Sequence, residues 1–159
     1  MVKVIIEISY NSRIKYEFQF DKDGEIENLY LDRVLPRGIV YPANYGFIPN
    51  TLAQDGDPLD VLVISDYVLL PGASLNGKIL GVLIMEDEKG LDEKIICVPE
   101  KDPEYKHVSS LADLPKSILN NIQHFFEHYK DQEEGKWSIV KGYEDKEFAK
   151  TLVEKYKRD

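Results

Sequence analysis

The chain is expected to be mainly β with two helices packed against the strands, an α+β fold. Two observations predict this. Residues 1 to about 98 run as short strand-like segments, alternating apolar and polar in places, broken by turn residues, and after Pro99 the apolar spacing changes to three and four. No repeat, low-complexity tract or linker separates the two parts. A length of 159 residues, against roughly 100 to 200 per domain, is therefore read as a single domain, 1–159.

The elements follow in order. VKVIIEI opens as a strand. In RIKYEFQF, Ile14, Tyr16, Phe18 and Phe20 share one face, and Lys15, Glu17 and Gln19 share the other. Asp21-Lys22-Asp23-Gly24 turns the chain into EIENLYLDRVL. PLDVLVI, SLNGKILGVLIMEDE and DEKIICV continue the series, with Glu88-Lys89-Gly90 turning between the last two. Ile118, Leu119, Ile122, Phe125, Phe126 and Tyr129 then stripe one face of a helix that Pro115 opens and Gly135 closes. KWSIVKGY returns as a strand, and Phe148, Ala149, Leu152, Val153 and Tyr156 stripe a second helix. Short antiparallel strands followed by two helices favour a small closed β-barrel with helices packed against it; the five-stranded OB-type barrel is the commonest small version.

Composition narrows the function. A formal charge of −9 argues against a general nucleic-acid binder, because affinity for phosphate backbones comes mainly from clustered cations. The longest apolar stretch, Val61 to Leu70, is interrupted by Asp66 and falls well short of the ~20 residues that span a bilayer. MVKVIIEISY carries an acid and no small-residue cleavage site, so a cytoplasmic protein is expected. Cys97, the single cysteine, lies in an apolar strand and reads as a buried small hydrophobe.

The densest chemical signal is YPANYGFIPNTLAQDGDPLDVLVIS, which places Asp55, Asp57 and Asp60 close together. Carboxylates that near one another repel unless a cation or proton intervenes. Oxygen donors without nearby Cys or His favour Mg²⁺ or Mn²⁺ over zinc, and an EF-hand is excluded because Asp60 stands where that loop needs glycine. The plainer alternative is a solvated Asp-Gly-Asp-Pro turn. A second acidic group, Glu86, Asp87, Glu88, Asp92 and Glu93, reads alone as a charged hairpin tip. Together, Asp55, Asp60, Asp87 and Asp92 suit a multi-metal site for phosphoryl hydrolysis. Lys15, Arg33, Lys94 and Lys130 supply charge-assisted bonds for phosphate oxygens, and Tyr41, Tyr45 and Tyr129 supply neutral donors.

YPANYGFIPNTLAQDGDPLDVLV, MEDEKGLDEKIICVP and HFFEHYKDQEEGKW closely resemble, in order and spacing, three segments of the soluble family I inorganic pyrophosphatases. The resemblance implies an OB-type barrel, Mg²⁺ dependence with several ions per subunit, Mn²⁺ or Zn²⁺ as substitutes, and hydrolysis of inorganic diphosphate to two orthophosphates by a metal-activated water. It implies Asp55, Asp60, Asp87 and Asp92 as metal ligands, with Asp60 bridging two ions, and Asp57 as the general base. Lys15, Arg33, Tyr45, Lys94, Tyr129 and Lys130 resemble the groups that hold the phosphates, and Glu7, Glu17, Tyr41 and Glu88 resemble supporting members. His124, His128 and Asp131 fall on the helix face opposite the apolar stripe. Relatives carry such a stripe at a contact between trimers, which implies a homohexamer. Two rivals stay open at this point: an OB-type module for single-stranded nucleic acid, disfavoured by the charge, and a metal-dependent hydrolase of nucleotides.

Overall fold

The computed structural model describes residues 1–158. Its elements are β1 (Val2–Ile8), β2 (Ile14–Phe20), β3 (Ile26–Val34), β4 (Asn44–Phe47), β5 (Asp60–Val63), β6 (Ser74–Asp87), β7 (Gly90–Pro99), α1 (Lys116–His128), β8 (Ser138–Asp145) and α2 (Lys146–Tyr156), with short 3₁₀ turns at Pro103–Tyr105 and Leu111–Asp113. The fold is mainly β with two helices, as expected. Six strands pair in the order β1-β4-β5-β7-β6-β8, and β1 also pairs with β6, so the pairings return to their start. The remaining two strands, β2 and β3, form a separate antiparallel ribbon.

Three features differ from the sequence expectation. First, β5 runs parallel to β7, with Asp60 opposite Lys94, although antiparallel strands were expected throughout; apolar alternation has the same period in either direction. Second, β4 is an extra strand of only four residues. It forms because Gly46 lets two backbones meet: a Cβ there would lie 2.0 Å from the Ile5 carbonyl oxygen. Third, α1 stops at His128, well before Gly135. Beyond it the chain turns on itself, with Asp131 N donating to His128 O at 3.0 Å and Glu133 N to Lys130 O at 2.9 Å.

The central strands are buried on both faces, which explains their continuous apolar runs. Leu62, Leu83 and Ile96 point to one cluster, closed by Ile122, Phe125 and Phe126 of α1. Val61, Val82, Ile95 and Cys97 point to the other, closed by Ala149, Leu152, Val153 and Tyr156 of α2. Asp145 caps α2 by accepting from Phe148 N at 2.9 Å, a contact worth ~1 kcal/mol. The ribbon has no such cover: Tyr30 is 52% and Val34 53% exposed. It touches the larger sheet through Phe18, whose ring meets Phe47 edge-on at 5.9 Å. No helix among the described residues is long and apolar enough to cross a membrane.

Candidate active site

The acidic run lies on the loop between β4 and β5. Gly56 takes φ +88°, a conformation that would strain any side chain. Ala53 N donates to Asp57 O at 2.8 Å and Asp57 N to Asp55 Oδ1 at 3.1 Å, so the loop curls tightly. That curl brings Asp55 beside Asp60 of β5 and Asp92 of β7, and one carboxylate oxygen from each lies within 4.8 Å of the others. Burial raises the Asp55 carboxyl, and burial raises that of Asp92 against the opposing pull of Lys94. Three crowded oxygen donors of this kind suit a hard divalent cation.

Lys94 sits among them and is only 2% exposed. Its Nζ donates to Asp60 Oδ2 at 2.9 Å, to Asp92 Oδ2 at 3.2 Å and to the Tyr45 hydroxyl at 2.9 Å. Burial alone would lower this amine, but Asp60 and then Asp92 outweigh it and hold it well above the usual lysine range. A second cation, Lys130, bonds Asp87 at 3.2 Å and Glu88 at 3.1 Å. Burial works against the Glu88 charge, yet backbone amides and Lys130 prevail and draw its carboxyl down to about 2. Asp87 also accepts from Lys89 N at 2.9 Å and stands outside the three-carboxylate group.

The ribbon supplies the opposite wall. Lys15 Nζ lies 3.2 Å from Asp32 and 3.9 Å from Glu17, and Arg33 pairs with Glu133 of the loop after α1. Arg33 Nε and Glu133 Oε2 are both buried without a partner. Glu7 of β1 accepts a 3.4 Å bond from Phe18 N, and burial, then Asp60, raises its carboxyl to about 7. Tyr41 lies beneath Tyr45 and Phe125, with ring centroids 5.5 and 4.8 Å away. Burial moves the phenols of Tyr41, Tyr45 and Tyr129 upward, so they remain neutral hydrogen-bond donors.

Every residue that the sequence singled out for catalysis, metal, substrate or support lines one cavity of about 800 Å³. Sequence reasoning missed four of its charged members: Asp32, Lys89, Glu133 and Lys136, the last 3.5 Å from Glu88. Glu133 and Lys136 belong to a charge-rich turn, which reads as solvated surface when its partner Arg33 is 100 positions away. The histidine stripe lies elsewhere, on the exposed face of α1 beside a smaller cleft of about 310 Å³. His124 and His128 have ring centroids 4.6 Å apart, and His128 Nδ1 is 2.8 Å from Asp131.

A family model described as inorganic pyrophosphatase matches residues 4–159. The inorganic pyrophosphatase of Rickettsia prowazekii is 50% identical over 155 residues, covering 96% of this chain and 88% of that protein. The solved structure of the Helicobacter pylori inorganic pyrophosphatase superposes with a TM-score of 0.90 at 50% identity, over 97% of this chain and 89% of that one. That from Thermus thermophilus gives 0.89 at 47% identity, over 96% and 87%. With the cavity, its acidic loop and these similarities together, the chain belongs to the inorganic pyrophosphatase family.

Proposed function

We propose that the chain hydrolyses inorganic diphosphate to two orthophosphates with Mg²⁺ as its ion and Mn²⁺ or Zn²⁺ as substitutes. The observation that carries this reading is one cavity, in a pyrophosphatase family member, that joins three mutually close carboxylates to Lys15, Arg33, Lys94 and Lys130. The donors fit a hard cation: carboxylate oxygens dominate, and no Cys or His is found among the described lining residues. Asp55, Asp60, Asp87 and Asp92 would hold several ions, with Asp60 shared by two. Divalent ions bound there acidify water and offset the negative charge of the phosphates.

The protein's own groups do the rest. Asp57 orients the attacking water and takes its proton onto a carboxylate oxygen. Lys15, Arg33, Lys94 and Lys130 donate charge-assisted bonds to phosphate oxygens, and Tyr45 and Tyr129 donate neutral ones. Glu88 fixes Lys130, Tyr41 packs beneath Tyr45, and Glu7 and Glu17 shape the field near the ribbon. Most of the acceleration then comes from positioning and electrostatics, without a covalent intermediate on the protein.

The returning strand pairings support a closed OB-type barrel within a single domain, and a cytoplasmic location is part of the same proposal. The exposed His124, His128 and Asp131 support a homohexamer with that stripe at a subunit contact. The charge of −9 speaks against nucleic acid as a partner. Phosphate release should be assayed from diphosphate, a nucleoside triphosphate and a single-stranded oligonucleotide, with and without Mg²⁺. Rapid release from diphosphate alone, abolished by chelation, is the expected result; metal-independent release or preference for the nucleotide would overturn the reading. Light scattering at neutral pH tests the hexamer, which a trimer or monomer mass would exclude.

A further inference from the structure

Tyr156, the last residue of α2, belongs to the apolar cluster under that helix and yet carries a polar contact there. Its phenol donates a 2.6 Å hydrogen bond to Glu93 Oε1, and the two residues are 4% and 5% exposed. A buried polar pair among Ala149, Leu152 and Val153 is a poor way to gain stability, because similarly shaped apolar side chains avoid the desolvation cost. Its position suggests another use. Glu93 stands between Asp92 and Lys94 on β7, so strand alternation sends those two into the acidic cavity and Glu93 out the other side, toward α2.

The same end of α2 also grips the acidic loop. Leu52 N donates to Tyr156 O at 2.8 Å, Arg158 N donates to Asn50 O at 2.7 Å, and Thr51 forms an antiparallel bridge with Lys157. Thr51 passes the restraint onward: its Oγ1 donates to Ile48 O at 2.6 Å and accepts from Leu59 N at 2.9 Å, next to Asp60. One short segment therefore holds the loop that carries Asp55 with its backbone and the strand that carries Asp92 with its side chain. Burial, then the bond to Glu93, pushes the Tyr156 phenol up to about 12, so it stays protonated as a donor across the neutral range.

We propose that Tyr156, acting through Glu93, is a positioning residue that sets the separation of Asp55 and Asp92 and so tunes divalent-ion affinity from the far side of the sheet. This inference rests on the reading of those carboxylates as metal ligands. Outer contacts that orient ligands typically contribute 10–100-fold to metal affinity, and the lower end is expected for a contact one residue removed.

The test is calorimetric titration of the substrate-free protein with Mg²⁺. Tyr156→Phe keeps the ring and loses only the donor; it should weaken binding about tenfold. Arg158→Pro removes the N–H that reaches Asn50 without touching the phenol, and should weaken binding severalfold in the same direction. Val153→Ala loosens the same helix by losing core contacts; it should lower Tm by a few degrees yet bind Mg²⁺ within about twofold of wild type. Unchanged affinity in both Tyr156→Phe and Arg158→Pro, with normal binding by wild type, overturns this inference alone. Equal weakening in Val153→Ala overturns it too, since general loosening would then suffice. Absence of Mg²⁺ binding in wild type overturns the metal-site reading and this inference with it.

Discussion

The two walls of the cavity are built differently. Asp60, Asp92 and Lys94 stand on β5 and β7, whose neighbours Val61 and Ile95 are wholly buried and whose two faces are each covered by a helix. Lys15, Glu17 and Arg33 stand on the β2–β3 ribbon, where Tyr30, Leu31 and Val34 face solvent. A two-stranded ribbon by itself is marginal in water. The difference teaches a division of labour. On the proposed reading, carboxylates that share small cations need distances held within tenths of an ångström, which the buried strands would give Asp60 and Asp92. Cations that follow a larger anion tolerate a compliant support.

Four measurements would break or sharpen that contrast. The largest effect is expected on the acidic loop, where Asp57→Asn should lower kcat by roughly 10²–10⁴, the usual contribution of a general base. Mg²⁺ affinity and the circular dichroism spectrum should stay at wild-type values, and unaltered turnover would remove Asp57 from the chemistry. On the buried wall, Asp60→Ala should raise the Mg²⁺ concentration for half-maximal activity at least ~10–100-fold, with partial recovery at excess ion. On the ribbon, Arg33→Ala should raise KM for diphosphate roughly 10- to 100-fold, in line with about 1.5–3 kcal/mol for a charged hydrogen bond, and leave Mg²⁺ affinity alone. A change in metal affinity from the ribbon variant as large as that from Asp60→Ala would erase the distinction between the walls.

The fourth measurement, which touches stability and leaves turnover and metal affinity aside, concerns Glu7, which sits where the two walls meet. Its carboxyl is raised from 4.5 to about 7, chiefly by burial and then by Asp60. Because the folded value exceeds the unfolded one, the protonated side chain stabilises the fold fully below about pH 4.5, and that contribution is lost as pH rises through 7. Glu7→Gln, neutral throughout, should match wild type in Tm near pH 4.5 and exceed it by pH 8 in chelator, the gap corresponding to at most about 3 kcal/mol of stability. A constant difference across that range would contradict the assignment.

The grouping of the candidate residues in one cavity was largely legible because much of it resides in short spacings. Asp55, Asp57 and Asp60 are neighbours in sequence and remain neighbours in space, and alternation in β7 sends Asp92 and Lys94 to one side. Partners across long separations were not legible. Tyr156 read as one more apolar stripe residue, since nothing local announces that its hydroxyl meets Glu93, 63 positions earlier. The β4 strand was hidden for a related reason: Asn44–Phe47 is too short to show a period, and only the close approach at Gly46 makes it a strand. The parallel register of β5 on β7 depends on the path of β6 between them, which no window of a few residues contains.

The grip of residues 156–158 on residues 50–52 also bears on how the protein matures during synthesis. At about 5–20 residues per second, roughly a hundred residues separate the acidic loop from its anchor by on the order of 5 to 20 s on the ribosome. Once β7 has followed, the strands bearing Asp60 and Asp92 can pair in the later part of that interval, while the loop bearing Asp55 still lacks its fastening. If Asp55, Asp60 and Asp92 hold ions as proposed, ion capture by the nascent chain would be deferred until α2 has been made.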